Sequence, residues 1–113
     1  MKLTCSRKNL HTALDIVSCA ISPSTTLPVL NNILLKAANH KLSFSATNLE
    51  IAINYSIPAD VKNEGAITIP AKLITNYVAL SNDEDVELKV EDMTLYVKSK
   101  SSQTKIKGIS SDY

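Results

Sequence analysis

"STTLPVLNNILLKAANHKLSFSAT", residues 24–47, contains the change of rhythm that decides the fold. Pro28 fixes one backbone angle and removes one donor, which stiffens the entry. From Asn31 onward the apolar period becomes two: Ile33, Leu35 and Ala37 alternate with Leu34, Lys36 and Ala38. Asn39-His40 then reads as a tight turn, after which Leu42, Phe44 and Ala46 resume the alternation. Ile51, Ile53, Tyr55 and Ile57 follow, with Glu50, Ala52, Asn54 and Ser56 opposite them. Period two places one set on a buried face and the other toward water. The stretch therefore predicts a three-stranded meander ending at Pro58, with a polar loop running on to Gly65.

Upstream, Lys2 to Cys5 reads as a short strand, and Ser6 can cap a helix. Leu10, Ala13, Leu14, Val17 and Ile21 recur at helical spacing, with Arg7, Lys8, His11, Asp15 and Ser18 on the other faces. The helix is expected to end near Ser22-Pro23. Downstream the same order returns. Ala66 to Ile69 predicts a strand, and Pro70 suits the first turn of a helix. That helix carries Leu73, Ile74, Tyr77 and Val78 on one side, with Lys72, Thr75 and Asn76 on the other. Val86, Leu88 and Val90 alternate with Asp85, Glu87 and Lys89; Glu91-Asp92 is expected to turn the chain; Leu95 and Val97 return, and Ile106 marks a last strand. Strand, helix and three strands are thus written twice, in pattern rather than in letters. Two short helices packed side by side over sheets would bury both halves. The expected fold is one α+β domain over residues 1–113, with two adjacent helices on antiparallel sheets and an internal pseudo-two-fold (βαβββ)x2.

At 113 residues and 12.3 kDa the chain has the size of one domain. Area scaling expects roughly 18,000 Å² of unfolded surface to fall to about 6,000 Å², so a core forms without staples. The longest apolar run, Tyr77 to Leu80, is far short of a membrane span. Arg7, Lys8 and Asn9 interrupt the region where a signal peptide needs apolar residues, so a cytoplasmic location without membrane partners is expected. Cys5 and Cys19 both read as buried thiols. Cys5, His11, Cys19 and His40 lack paired ligand spacing, so no zinc site is expected.

Net charge is +1, but its distribution is uneven. Basic residues dominate up to Lys41, whereas Asp83 to Asp92 is rich in acids. With Arg7, Lys8, His11 and Lys72 on the helices and the acids on strands and turns, the expectation is a positive helix layer and a negative sheet layer. Such a charge split suits a helix face turned toward a polyanion; a merely solvated face is the plainer alternative. Catalysis finds little footing. The only glycines are Gly65 and Gly108, so no phosphate-cradling loop exists, and no serine sits in a nucleophile elbow. Asp83, Glu84 and Asp85 could hold a hard cation for hydrolysis or form a solvated turn. No enzyme, metal or cofactor is expected.

Three ordered blocks, "TLPVLNNILLKA", "KLSFSATNLEIAI" and "GAITIPAKLITNYV", resemble the N-terminal domain of the bacterial DNA polymerase III beta subunit, the sliding-clamp family. The likeness spans the chain, with Asn48 where the family usually has aspartate. The resemblance implies the DNA-clamp fold. It also implies a non-catalytic processivity factor, whose ring encircles duplex DNA and tethers the replicative polymerase during DNA replication. The family's subunit has three domains, so this chain corresponds to the first. The implied partners are double-stranded DNA, bound through its backbone, and a second subunit in a head-to-tail homodimer. Polymerase and clamp loader would bind through the domains absent from this chain. The alternative is a stand-alone interaction domain of clamp-like fold that does not encircle DNA.

Residue by residue, the resemblance implies DNA contact at Lys72 in "PAK", at Ser24 where relatives often carry arginine, and along Arg7, Lys8 and His11. It places the subunit contact at Leu73, Tyr77, Gln103 and Thr104, where the family has an aromatic near Thr104. Plain core is the other reading of Leu73 and Tyr77.

Overall fold

The computed structural model describes residues 1–19, 32–47, 52–80, 84–100 and 102–108. Ile21, Ser24, the "TLP" block, Asn48, Ile51 and Asp83 lie outside the described residues. The first helix ends at Ser18 with Cys19 as its C-cap, short of the expected end near Ser22-Pro23. In chain order the elements are β1 (Lys2–Ser6), α1 (Arg7–Ser18), β2 (Asn32–Ala38), β3 (Lys41–Thr47), β4 (Ala52–Pro58), β5 (Asp60–Asn63), β6 (Gly65–Pro70), α2 (Ala71–Leu80), β7 (Asp85–Glu91), β8 (Thr94–Lys98) and β9 (Gln103–Lys107).

Both meanders form, β2-β3-β4 and β7-β8-β9, and every described strand pairing is antiparallel. The halves exchange their first strands. β1, ahead of α1, pairs with β7 of the second half, and β6, ahead of α2, pairs with β2 of the first. The resulting sheets are β5-β1-β7-β8-β9 and β4-β3-β2-β6. α1 and α2 touch each other, and one continuous core joins helices and sheets. Leu10, Leu14 and Val17 of α1 meet Phe44, Ile69, Ile74, Val78, Leu88 and Leu95 in that cluster. Neither half could cover its own apolar face, so burial makes the two halves one cooperative unit.

Local chemistry matches the pattern at both hairpins. Asn39 and His40 have φ of 52° and 62°, and Asp92 and Met93 have φ of 49° and 64°. Two consecutive positive φ values are the signature of a two-residue type I′ turn. The second turn therefore sits at Asp92-Met93, one residue beyond the expected Glu91-Asp92. Pro70 likewise closes β6, opposite Asn32, and the helix begins at Ala71. β5 falls in the expected polar loop; half-buried Val61 packs against the core between exposed Asp60 and Lys62, and the segment adds an edge strand against β1.

Cys5 is buried, but Cys19 is exposed at the end of α1, where its thiol donates to the Asp15 carbonyl at 3.7 Å. The expectation of two buried thiols therefore fails at Cys19, which follows the last turn of the helix. Cys5 loses water on all sides; burial, reinforced by the charge of Asp85, pushes its thiol up to about 12.

Candidate nucleic-acid and subunit-contact surfaces

α1 starts where Ser6 accepts a hydrogen bond from the Asn9 amide at 3.3 Å, and the Arg7 amide donates to the Glu84 carbonyl at 2.8 Å. These two bonds place Arg7 and Lys8 in the first helical turn, with Lys8 exposed and Arg7 half-buried. No acid occupies that turn. Cations there oppose the helix dipole, at a cost of about 0.3–1 kcal/mol each. The arrangement weakens the helix slightly and concentrates positive potential at its start. Lys72 repeats it: it is the second residue of α2, exposed, in a first turn that also lacks an acid. Lys8 and Lys72 are thus each the second residue of the helix in their half.

His11 lies one turn further along α1 and faces Asp15 across 3.6 Å. Both side chains are substantially exposed, so the pair contributes little to stability. The helix layer is therefore basic at the helix starts and near neutral beyond them.

The sheet layer departs from expectation. On the outward face of β1, β7, β8 and β9, Lys2, Lys89, Lys98, Lys105 and Lys107 stand beside Asp85, Glu87 and Glu91. Register explains this. Glu87 lies opposite Lys98, Lys89 lies between Lys2 and Tyr96, and Tyr96 lies opposite Lys105. The acid-rich stretch is thus interleaved with lysines of its neighbours, and Lys89 also pairs with Glu91 at 3.1 Å. The expected negative layer does not exist. Cys5, His11, Cys19 and His40 are not brought together, and among the described residues no group of three His, Cys, Asp or Glu could hold a metal ion.

A second surface forms at the end of α2. Ala71, Ile74 and Val78 are buried, whereas Leu73 is 55% exposed and Leu80 is 84% exposed. Leu73 is therefore not a core residue, contrary to the side of the helix expected for it. Tyr77 lies between these two leucines in sequence, packs its ring partly against the core, and bonds its hydroxyl to Ser102 at 2.7 Å. α2 contacts β9, the edge strand that carries exposed Gln103 and half-buried Thr104. The structure thus brings Leu73 and Tyr77 to the same end of the domain as Gln103 and Thr104. Leu80 joins them at helical spacing. In the sequence Leu80 only closes the apolar run Tyr77 to Leu80, and nothing in that run marks it as exposed.

The whole chain, residues 1–113, matches the family described as DNA polymerase III beta subunit, N-terminal domain. The chain belongs to that family. It is 41% identical over 115 residues to the beta sliding clamp of Synechococcus elongatus, covering 99% of this chain and 31% of that protein. Its fold superposes on the Caulobacter crescentus pol III beta structure with a TM-score of 0.94 at 34% identity, covering 99% of this chain and 30% of that one. The Pseudomonas aeruginosa DNA polymerase III subunit beta gives a TM-score of 0.93 at 27% identity, over 99% and 31%. The chain therefore spans about a third of the length of the beta-subunit relatives it matches. The paired helices over antiparallel sheets are the sliding-clamp fold. No helix among the described residues is long and apolar enough to cross a membrane.

Proposed function

We propose that this domain is a wall segment of a sliding clamp, a non-catalytic processivity factor acting on DNA in the cytoplasm. Residues 1–113 form the first of three domains in a subunit. Two subunits join head to tail into a ring around duplex DNA, and the later domains engage the replicative polymerase and clamp loader. The observation that carries this reading is the duplicated helix start, with Lys8 and Lys72 exposed at matching positions on adjoining helices. A ring that must hold DNA and still slide needs diffuse charge without base readout, and closure supplies the persistence. Two principal cations over a near-neutral helix layer suit that demand. Arg7 and His11 add to the lining, and Ser24 donates a hydrogen bond to phosphate. Leu73, Tyr77, Gln103 and Thr104 form the contact with the second subunit.

Duplex binding by the chain at low salt, followed by fluorescence anisotropy across a salt series, tests the lining. Each phosphate contact contributes about 0.9 to the log–log salt slope. Lys8→Ala and Lys72→Ala are each expected to lower the slope by about 1, whereas Lys36→Ala, on the outward face of β2, leaves it unchanged. An equal loss for Lys36→Ala would overturn the assignment.

A further inference from the structure

Among the described residues, Ser99 is the one buried polar side chain, and its bonds lead to the contact surface. Its amide donates to the Ser102 carbonyl at 2.9 Å, and its hydroxyl lies 3.3 Å from that same oxygen and 3.1 Å from Ser102 Oγ. Ser102 Oγ in turn lies 2.7 Å from Tyr77 Oη. Three hydroxyls thus run from the buried side of the β8–β9 connection to a ring on α2, between Leu73 and Leu80. We propose that Ser99 and Ser102 form a latch that holds Tyr77 in the orientation the second subunit meets, and that Leu80 belongs to the same contact. This inference rests on the subunit-contact reading above.

The latch acts by pre-organisation. A half-exposed tyrosine on a helix has several rotamers available, and an interface that needs one of them must order the side chain on binding. That ordering costs about 0.5–1.5 kcal/mol for one flexible side chain. The latch meets the cost when the domain folds, so its loss weakens association more than folding. Ser99 and Ser102 are positioning residues, and Leu73, Tyr77 and Leu80 supply the apolar area.

The test uses the full-length subunit and measures subunit dissociation by subunit exchange between differently labelled rings, alongside Tm. Tyr77→Phe keeps the ring and removes only the hydroxyl; Ser102→Ala removes its partner. Each is expected to weaken association about two- to tenfold with Tm almost unchanged. The double variant is expected to be no worse than either single, because both break one link. Leu73→Ala and Leu80→Ala are expected to weaken association through lost area. If the leucine variants weaken the ring while Tyr77→Phe and Ser102→Ala do not, or if their effects simply add, the latch is refuted and the contact stands. If Leu73→Ala and Leu80→Ala both leave association unchanged, the contact reading itself fails, and the latch with it.

Discussion

Gly108 offers the sharpest test of the packing. It follows β9, and its amide donates to the Met93 carbonyl at 2.8 Å. A Cβ built there would lie 2.5 Å from Ile67 Cδ1, 2.7 Å from Ile67 Cγ1 and 2.9 Å from the Thr68 carbonyl oxygen. Ile67 is fully buried and Thr68 is held opposite Leu34 in the β2–β6 ladder, so neither neighbour has room to retreat. Gly108 is where an edge of one sheet presses on the other, and only a hydrogen fits the gap. Gly108→Ala is therefore expected to cost about 2 kcal/mol, within the ~1–3 kcal/mol typical of overpacking. For a domain of this size the corresponding loss in Tm is roughly 8 °C. Urea unfolding followed by far-UV circular dichroism reads this directly, as the chain has no tryptophan. Ile67→Val removes the closest clashing atom, so the double variant should lose less than the sum of the singles by at least ~0.5 kcal/mol. A Gly108→Ala domain within ~0.5 kcal/mol of wild type, or strict additivity with Ile67→Val, would refute the close approach of the two sheets.

Two further outcomes follow from local geometry. Met93 sits exposed at a φ of 64°, so Met93→Gly should stabilise the domain by about 0.5–1 kcal/mol in the same unfolding assay, and a loss of stability would contradict the type I′ assignment. In the folded protein a thiol reagent should modify Cys19 promptly and reach Cys5 only on unfolding, as mass spectrometry of the labelled peptides would show. The folded state holds the Cys5 proton more tightly than the unfolded chain, whose thiol titrates near 9.0. Its contribution to stability is therefore complete below that pH and declines as pH rises toward about 12. Stability that rises through this window would contradict a buried neutral thiol.

The parts of the fold legible in the sequence are those where one residue's environment depends on near neighbours. Leu10, Ala13, Leu14 and Val17 recur at helical spacing behind a capping serine, and Ile33, Leu35 and Ala37 alternate, so α1 and β2 could be read directly. β5 could not, because Asp60 to Asn63 offers the core only Val61, and one apolar residue makes no period. Leu73 was ambiguous because α2 carries apolar residues on more than one face, and only the packing against β6 and β9 shows which are covered. The charge of the sheet layer lay beyond reach for a different reason. Lys98, Lys105 and Lys107 are distant in sequence from Asp85, Glu87 and Glu91, and strand register alone brings them together. The exchange of β1 and β6 between the halves is likewise a property of burial shared across the domain. Gln103 and Thr104, proposed for the subunit contact, carry no periodic signal, and only the family resemblance singled them out.

On the proposed function, this helix layer lines a closed ring whose hold on DNA is topological. That hold is tested most directly by loading the full-length protein onto nicked circular plasmid, raising the salt, and following retention by gel filtration before and after a single restriction cut. Retention on the circle with release on linearisation is the expected result. Equal retention on circular and linear DNA, or equal loss from both, would contradict a ring that holds DNA by encircling it.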